Sequence, residues 1–414
     1  AAWTFTNESF INIPGVDYGK LRLSWGQNGN RSLANTYLSL ADLTAGAGAT
    51  MDYLDKSGAL MTDMKYLMMG RLANPNLEWE KTEAYNFGLD LKMFGSRLSA
   101  NIDFYVKKTH DMIMAQRLPN FSGFDSIFTN LGEVKNSGIE VALNSVNINN
   151  DFLKWNTTLN FSYNKNKIVH LYNDYDENGV ERDDTSNGWF IDKPISEIWD
   201  YEVIGTWQVD EAKEAALVNQ VPGDPKVANH YTKDDIINED GTRTPVYNDK
   251  DKVFQGPHTP PVYWNLRNDF TLWNCFDVSF SFYSYMGHKS TSTYYLNKAN
   301  TADCMSRAHN QFIQSYWLPE NPTNDFVRLD AAGPAGATNP NQVYKRSFVR
   351  FDNITLGYTL PKEWTSKIAV DRIRVNASIR NVAIFGGDKK WEFGDLETGG
   401  MANRVFNLGF NFTF

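Results

Sequence analysis

Three histidines are the first candidates for chemistry in this chain, because a neutral imidazole serves as a general base or a metal ligand. They are His110, His170 and His288, and His110 is followed by Asp111, the kind of pair with which a hydrolase orients an imidazole. Five tryptophans, Trp189, Trp199, Trp207, Trp317 and Trp391, offer another chemistry. Flat aromatic faces stack on sugars, meet a protein partner, or fold a loop on itself. The two cysteines, Cys275 and Cys304, are too few for a disulfide framework. Glycines such as Gly46 and Gly48 lack the strand-to-helix setting of a phosphate site. Which of these groups can meet depends on the elements that carry them.

Those elements are strands. The final RVFNLGFNFTF places Phe406, Leu408, Phe410, Phe412 and Phe414 on one face and Asn407, Gly409, Asn411 and Thr413 on the other. The same alternation runs through Leu21 to Trp25, Tyr85 to Leu91, Ala100 to Val106, Ile139 to Leu143 and Trp155 to Tyr163. It returns in Trp264 to Leu272, Phe276 to Phe282, Ile354 to Leu360 and Val375 to Ile379. With the N-terminal AAWTF, about eleven strands are expected. A helix is expected only over 301–315.

The connections alternate in length. Those over 92–97, 147–152, 273–276 and 361–370 are short, and those over 27–78, 116–129, 171–260, 287–346 and 387–402 are long. Soluble domains rarely carry so many long loops; a membrane barrel has short turns on one side and long loops on the other. The mean hydropathy of -0.47 and formal net charge of -9 fit a barrel as well as a soluble protein, because lipid-facing strands are apolar only at alternate positions. No run reaches the roughly 18 apolar residues of a membrane helix, and the acidic balance argues against nucleic acid. Asp90, Asp103, Glu140, Asp269 and Arg380 all lie on the polar parity. Arg350 and Asp352 share parity with Ile354 and Leu356, which places them above the hydrocarbon or beside a bulge.

This topology sorts the candidates. The three histidines fall at the upper ends of upward strands, and strands two apart are separated by about 10 Å, so they are read as hydrated rim residues without catalysis or metal. Cys275 lies in a short turn and Cys304 in a long loop, with about 30 Å of hydrocarbon between them, so no bridge joins them. Counting strands back from a C-terminus on the short-turn side puts the first residue on the long-loop side, so more chain is expected upstream.

The segments GKLRLSWGQNGN (19–30), NPNLEWEKTEAYNFGLDL (74–91), LGEVKNSGIEV (131–141), FSYNKNKIV (161–169), YWLPENPTN (316–324), SFVRFDNITLGYTLP (347–361) and RVFNLGFNFTF (404–414) resemble, in order, the C-terminal half of SusC/RagA-type TonB-dependent transporters of the Bacteroidetes outer membrane. The resemblance implies an all-β, transmembrane antiparallel β-barrel, with residues 1–414 supplying about eleven strands of a plugged barrel of about 22. It places the plug, the TonB box and the signal peptide upstream. It implies import of oligosaccharides or peptides, driven through the TonB complex, beneath a SusD-like surface lipoprotein. Phe414 resembles the terminal aromatic of the outer-membrane assembly signal. The five loop tryptophans become candidate ligand or lid contacts. The family often carries a calcium-loop-like segment after a PGD; here Pro222, Gly223 and Asp224 are kept, but Asn238, Glu239, Asp240 and Gly241 lack the ligand spacing, so no metal or other cofactor is expected. The rival readings are a soluble, secreted β-rich carbohydrate-binding protein and a barrel-embedded hydrolase.

Overall fold

The computed structural model describes residues 1–30, 37–54, 56, 58, 60–292, 315–329, 331–337, 339–368, 370–388, 395–400 and 402–414. Its main element is one eleven-stranded antiparallel sheet. In chain order the strands are β1 (Ala2–Trp3), β2 (Val16–Gly29), β3 (Lys81–Met93), β4 (Leu98–Arg117), β5 (Ser126–Asn149) and β6 (Leu153–His170). They continue as β7 (Val262–Leu272), β8 (Phe276–Met286), β9 (Phe348–Thr359), β10 (Arg372–Gly386) and β11 (Val405–Thr413). Each pairs with the next in sequence, so the sheet is an up-and-down meander. The expected strand count holds. Of the helix expected over 301–315, residues 301–314 lie outside the described residues, as does Cys304; Cys275 is a free, half-buried thiol in the turn between β7 and β8.

The register carries the alternation across the sheet. Trp155, Phe270, Val278, Leu356, Ala377 and Leu408 form one continuous row over six strands. On the opposite face Arg22, Gly88, Asp103, Glu140, Ser162 and Tyr263 form another. Large apolar side chains on the first face have no protein cover: Leu23 is 58% exposed, Trp25 65% and Phe104 48%. At about 25 cal/mol per Å² of apolar surface, such a face is too costly to leave in water.

The short connections close the sheet at one end. In the three-residue connection between β7 and β8, Trp273 and Asn274 both take positive φ, +49° and +54°, and the Cys275 amide donates to the Leu272 carbonyl at 3.1 Å, a tight turn whose handedness matches the strand twist. Phe94, Phe152, Trp273 and Trp364 stand exposed at this end, and Phe152 meets Trp273 edge-on at 5.3 Å. They form an aromatic band of the kind that marks a membrane interface.

The polar face is knit by charge and by glycine slots. Arg22 donates to Asp90 at 2.9 Å and to Asp103 at 2.9 Å, and its guanidinium lies over Gly88, where a Cβ would stand 2.5 Å from Cζ. Tyr105 likewise lies over Gly138 and donates to Asn164 at 3.1 Å; a Cβ on Gly138 would come within 2.3 Å of the Tyr163 carbonyl. The Arg350 and Asp352 exception resolves into a bulge. The register slips between Phe351 and Asn353, which returns Phe351 to the apolar row opposite Phe282 and turns Arg350 to the polar face opposite Tyr283.

Two connections differ from expectation. The long link expected over 116–129 shrinks to 118–125, because β4 and β5 run on as a hairpin of 20 and 24 residues, tall enough to rise beyond a bilayer. The 27–78 link contains a hairpin of its own, Asp42–Leu54 with Leu60–Arg71.

The two faces should respond oppositely to charge. In the full-length receptor, Phe104→Arg is expected to cost about 2–4 kcal/mol and to deplete the heat-modifiable, assembled form on gels. Asn101→Arg, on the polar face opposite Asp90, should assemble at the unsubstituted level.

Candidate functional site

At the end opposite the short turns, residues 171–261 fold into a shared lobe with residues 287–292, 315–329, 331–337 and 339–347. Hairpins pair Glu197–Asp200 with Val253–Pro257, Val203–Thr206 with Pro225–Val227, and Lys289–Ser292 with Gln342–Lys345. One core holds Tyr201, Trp207, Val218, Val227 and Tyr247 from the first segment with Ala337 from the second. The PGD motif is the joint between them. Gly223, at φ +90°, lets the Trp317 ring lie on the backbone, where a Cβ would approach to 2.5 Å. Asp224 accepts from Arg328 at 2.8 Å and from the Val221 amide at 3.0 Å. Asn238, Glu239, Asp240 and Gly241 cap a small hairpin, in which Asp240 accepts from the Thr242 amide and hydroxyl.

The structure separates the tryptophans. Trp207 and Trp317, 8% and 5% exposed, are core residues and not ligand faces. Their indole N–H groups donate to Gln220 at 2.7 Å and to Gln208 at 3.1 Å. Trp199 is covered by Phe190 at 4.9 Å and by the Lys252 ammonium at 4.6 Å. Trp391 lies outside the described residues. Trp189 lines a cleft.

That cleft, of about 1190 Å³, lies between the tip of the β4–β5 hairpin and the 171–191 stretch. The stretch is seated by an apolar cluster of Val134, Ile168 and Leu171, with Met112, Met114 and Trp189 packed on it. Val134 and Ile168 belong to the polar parity, so this loop folds over the polar face. Asp184 fixes the cleft wall, accepting from Tyr172 at 2.9 Å, Ser186 at 2.6 Å and the Asn187 side chain at 2.6 Å. Burial pushes its carboxyl up, but these bonds outweigh that and hold it at about 2.

The three histidines stay apart, each with its own surroundings. His110 contacts Asp111 at 3.0 Å and His170 contacts Glu181 at 2.9 Å. His288 is buried without a partner for Nδ1; its burial, with Arg346 and His258 nearby, depresses it to about 4. Among the described residues no three His, Cys, Asp or Glu side chains converge as a metal site.

A buried ion cluster fastens the last long loop to the wall. Arg350, 3% exposed, contacts Asp395 and Asn381, donates to Glu397 at 3.0 Å, and lies 5.9 Å from the Tyr283 ring centroid. The Tyr283 hydroxyl donates to the same Glu397 carboxylate at 2.5 Å. Arg346 adds a bond to the Leu396 carbonyl at 2.7 Å. Sequence parity flagged Arg350 as anomalous, but nothing local in the sequence names its partners 45 and 47 residues away.

A meander with one uncovered apolar face, an aromatic band at its turn end, a charged opposite face and loops folded over that face is the wall of a membrane β-barrel. The family described as "TonB dependent receptor-like, beta-barrel" matches residues 2–382, and this chain belongs to it. TonB-dependent receptor P3 of Formosa agariphila is 28% identical over 431 residues, covering 100% of this chain and 41% of its own length. TonB-dependent receptor SusC of Bacteroides thetaiotaomicron is 25% identical over 371 residues, covering 88% of this chain and 34% of its own. The RagAB peptide importer in its open-open state shares the fold, with a TM-score of 0.70 at 22% identity over 100% of this chain and 42% of that one. The chain thus spans about two fifths of the length of the relatives it matches. It is an outer-membrane protein of the SusC/RagA type, with its apolar face to lipid and its polar face to the lumen.

Removing Arg350 strands Asp395, whose side chain is 5% exposed, without its cation. Arg350→Ala in the full-length receptor should cost about 3–5 kcal/mol. It should also turn a nitroxide at Thr398 from slow to fast motion, while the β-barrel still assembles. Slow motion in the variant would show that the loop is held by other contacts.

Proposed function

We propose that this chain forms about half the wall, and much of the extracellular ligand face, of a TonB-dependent importer of oligosaccharides or peptides. The role of this half is passive: it excludes lipid, presents the ligand cleft and meets a SusD-like lipoprotein lid, while the plug and the TonB contact belong to the upstream part. The observation that carries the reading is the placement of the cleft. A polar groove of about 1190 Å³ is built on the lumen side of a membrane wall, at its long-loop end. A solute caught there sits at the mouth of the pore. Similarity to receptors such as SusC supports energy coupling through TonB.

The test is uptake in cells that carry the full-length receptor. Fluorescent oligosaccharides and peptides should accumulate only when both the receptor and TonB are present. A receptor lacking residues 174–187 should reach the outer membrane in heat-modifiable form, yet lose at least about tenfold in uptake. Uptake that survives loss of TonB would contradict the importer reading.

A further inference from the structure

The lipid-facing side of the wall changes character at its upper edge. Trp25 and Tyr85, opposite one another on β2 and β3, both donate to Glu83 Oε1 at 2.9 Å. Their rings lie on the apolar parity and their polar tips turn toward the long-loop end, the posture of aromatic side chains at a membrane surface. The hydrocarbon therefore ends at this row, which runs on through Val106 and Ser137 to Lys165. The next row up is Glu83, Lys108, Lys135 and Lys167. Lysines on three neighbouring strands thus project outward, level with lipid headgroups.

This strip is only partly neutralised by protein. Like charges directly opposite one another in a sheet repel, and Lys108, Lys135 and Lys167 stand in one line. Lys108 lies 2.8 Å from Glu133 and Lys167 lies 2.5 Å from Asp192, while Glu83 is held by the two aromatic tips. Lys135 and Lys165 meet no carboxylate among the described residues. An anion from outside the protein completes the balance.

Directly below the lysines lies a shallow groove of about 750 Å³, lined chiefly by Leu23, Trp25, Tyr85, Phe87, Phe104 and Val106. Its surface is almost wholly apolar, and Ser137 closes its edge two residues from Lys135 on the same strand. Groove and lysines together specify an amphiphile, with acyl chains below and a negative headgroup above. The line from Lys108 to Lys167 covers two strand spacings, roughly 10 Å, which is broad enough for a headgroup of two sugars and wider than a glycerol phosphate needs.

We infer that this strip binds a phosphate-bearing glycolipid of the outer leaflet, with its chains in the groove and its phosphate on Lys135 and Lys165. The inference rests on the membrane wall with its long loops outside, and not on the transport reading.

The experiment is native mass spectrometry of the full-length, heat-modifiable receptor in detergent, titrated with phosphorylated lipid A, dephosphorylated lipid A and phosphatidylglycerol. Phosphorylated lipid A should bind most tightly of the three. Lys135→Ala combined with Lys165→Ala should weaken it about tenfold or more, and the corresponding pair of arginines should retain it. Val106→Trp, which fills the groove and leaves every lysine in place, should weaken both forms of lipid A alike. Equal binding of the phosphorylated and dephosphorylated forms, displacement of lipid A by an equal concentration of phosphatidylglycerol, or binding unchanged in the alanine pair would overturn the inference. Each of those results would leave the importer reading standing, whereas TonB-independent uptake would defeat the importer reading and leave this lipid site in place.

Discussion

Hydrocarbon offers a backbone amide no partner except another strand, and the rest of this structure follows from that constraint. β7 pairs with β8 over eleven consecutive rungs without a slip, and with β6 over another eleven. Register shifts fall near the ends of β2 and β5, Val16 to Tyr18 and Val146 to Ile148, and in the upper part of β4, Thr109 to Met112, while the bulge at Asp352 interrupts β9 against β8 and β10. An unbroken ladder fixes parity, and parity decides which side chains meet lipid.

The lumen face then has to hold charge at close quarters. Arg22 pairs with Asp90 on the next strand and with Asp103 one strand further, and Arg374 reaches across β9 to Asp277 at 2.7 Å, all on one face. The glycines beneath Arg22, Tyr105 and Arg374 let these long side chains lie flat against the wall. Arg350 extends the same device upward. The bulge at Asp352 swings it inward, and there it binds a loop instead of a neighbouring strand. The bulge thereby links wall to loop: local relief of register creates the anchor for the segment around Asp395.

Period-two patterning was legible in the sequence because it is a local, repeated signal, and so the strand order, the alternation of short and long connections and the oddity at Arg350 could all be read. Other features were not local. Whether an indole lies in a core or a cleft depends on which segments fold together; Trp207 and Trp317 went inside because Gln220, Gln208 and Gly223 received them. The height of the β4–β5 hairpin was missed because Met112 to Arg117 and Ser126 to Leu131 lack strict alternation once they leave the lipid. The cleft beside Trp189 needed the 171–191 loop to fold back over Val134 and Ile168, a contact that no spacing rule announces.

The central claim is that one parity of this sheet meets lipid and the other meets water. Nitroxide scanning of residues 99 to 106 in β4, in the full-length receptor reconstituted in bilayers and freed of its native cysteines, tests it most directly. Labels at 100, 102, 104 and 106 should collide preferentially with oxygen, and labels at 99, 101, 103 and 105 with a water-soluble nickel chelate, giving a period of two. Equal accessibility at both parities, or a strand shielded from both reagents on its apolar side, would mean that protein covers the apolar face and that this sheet is not a membrane wall.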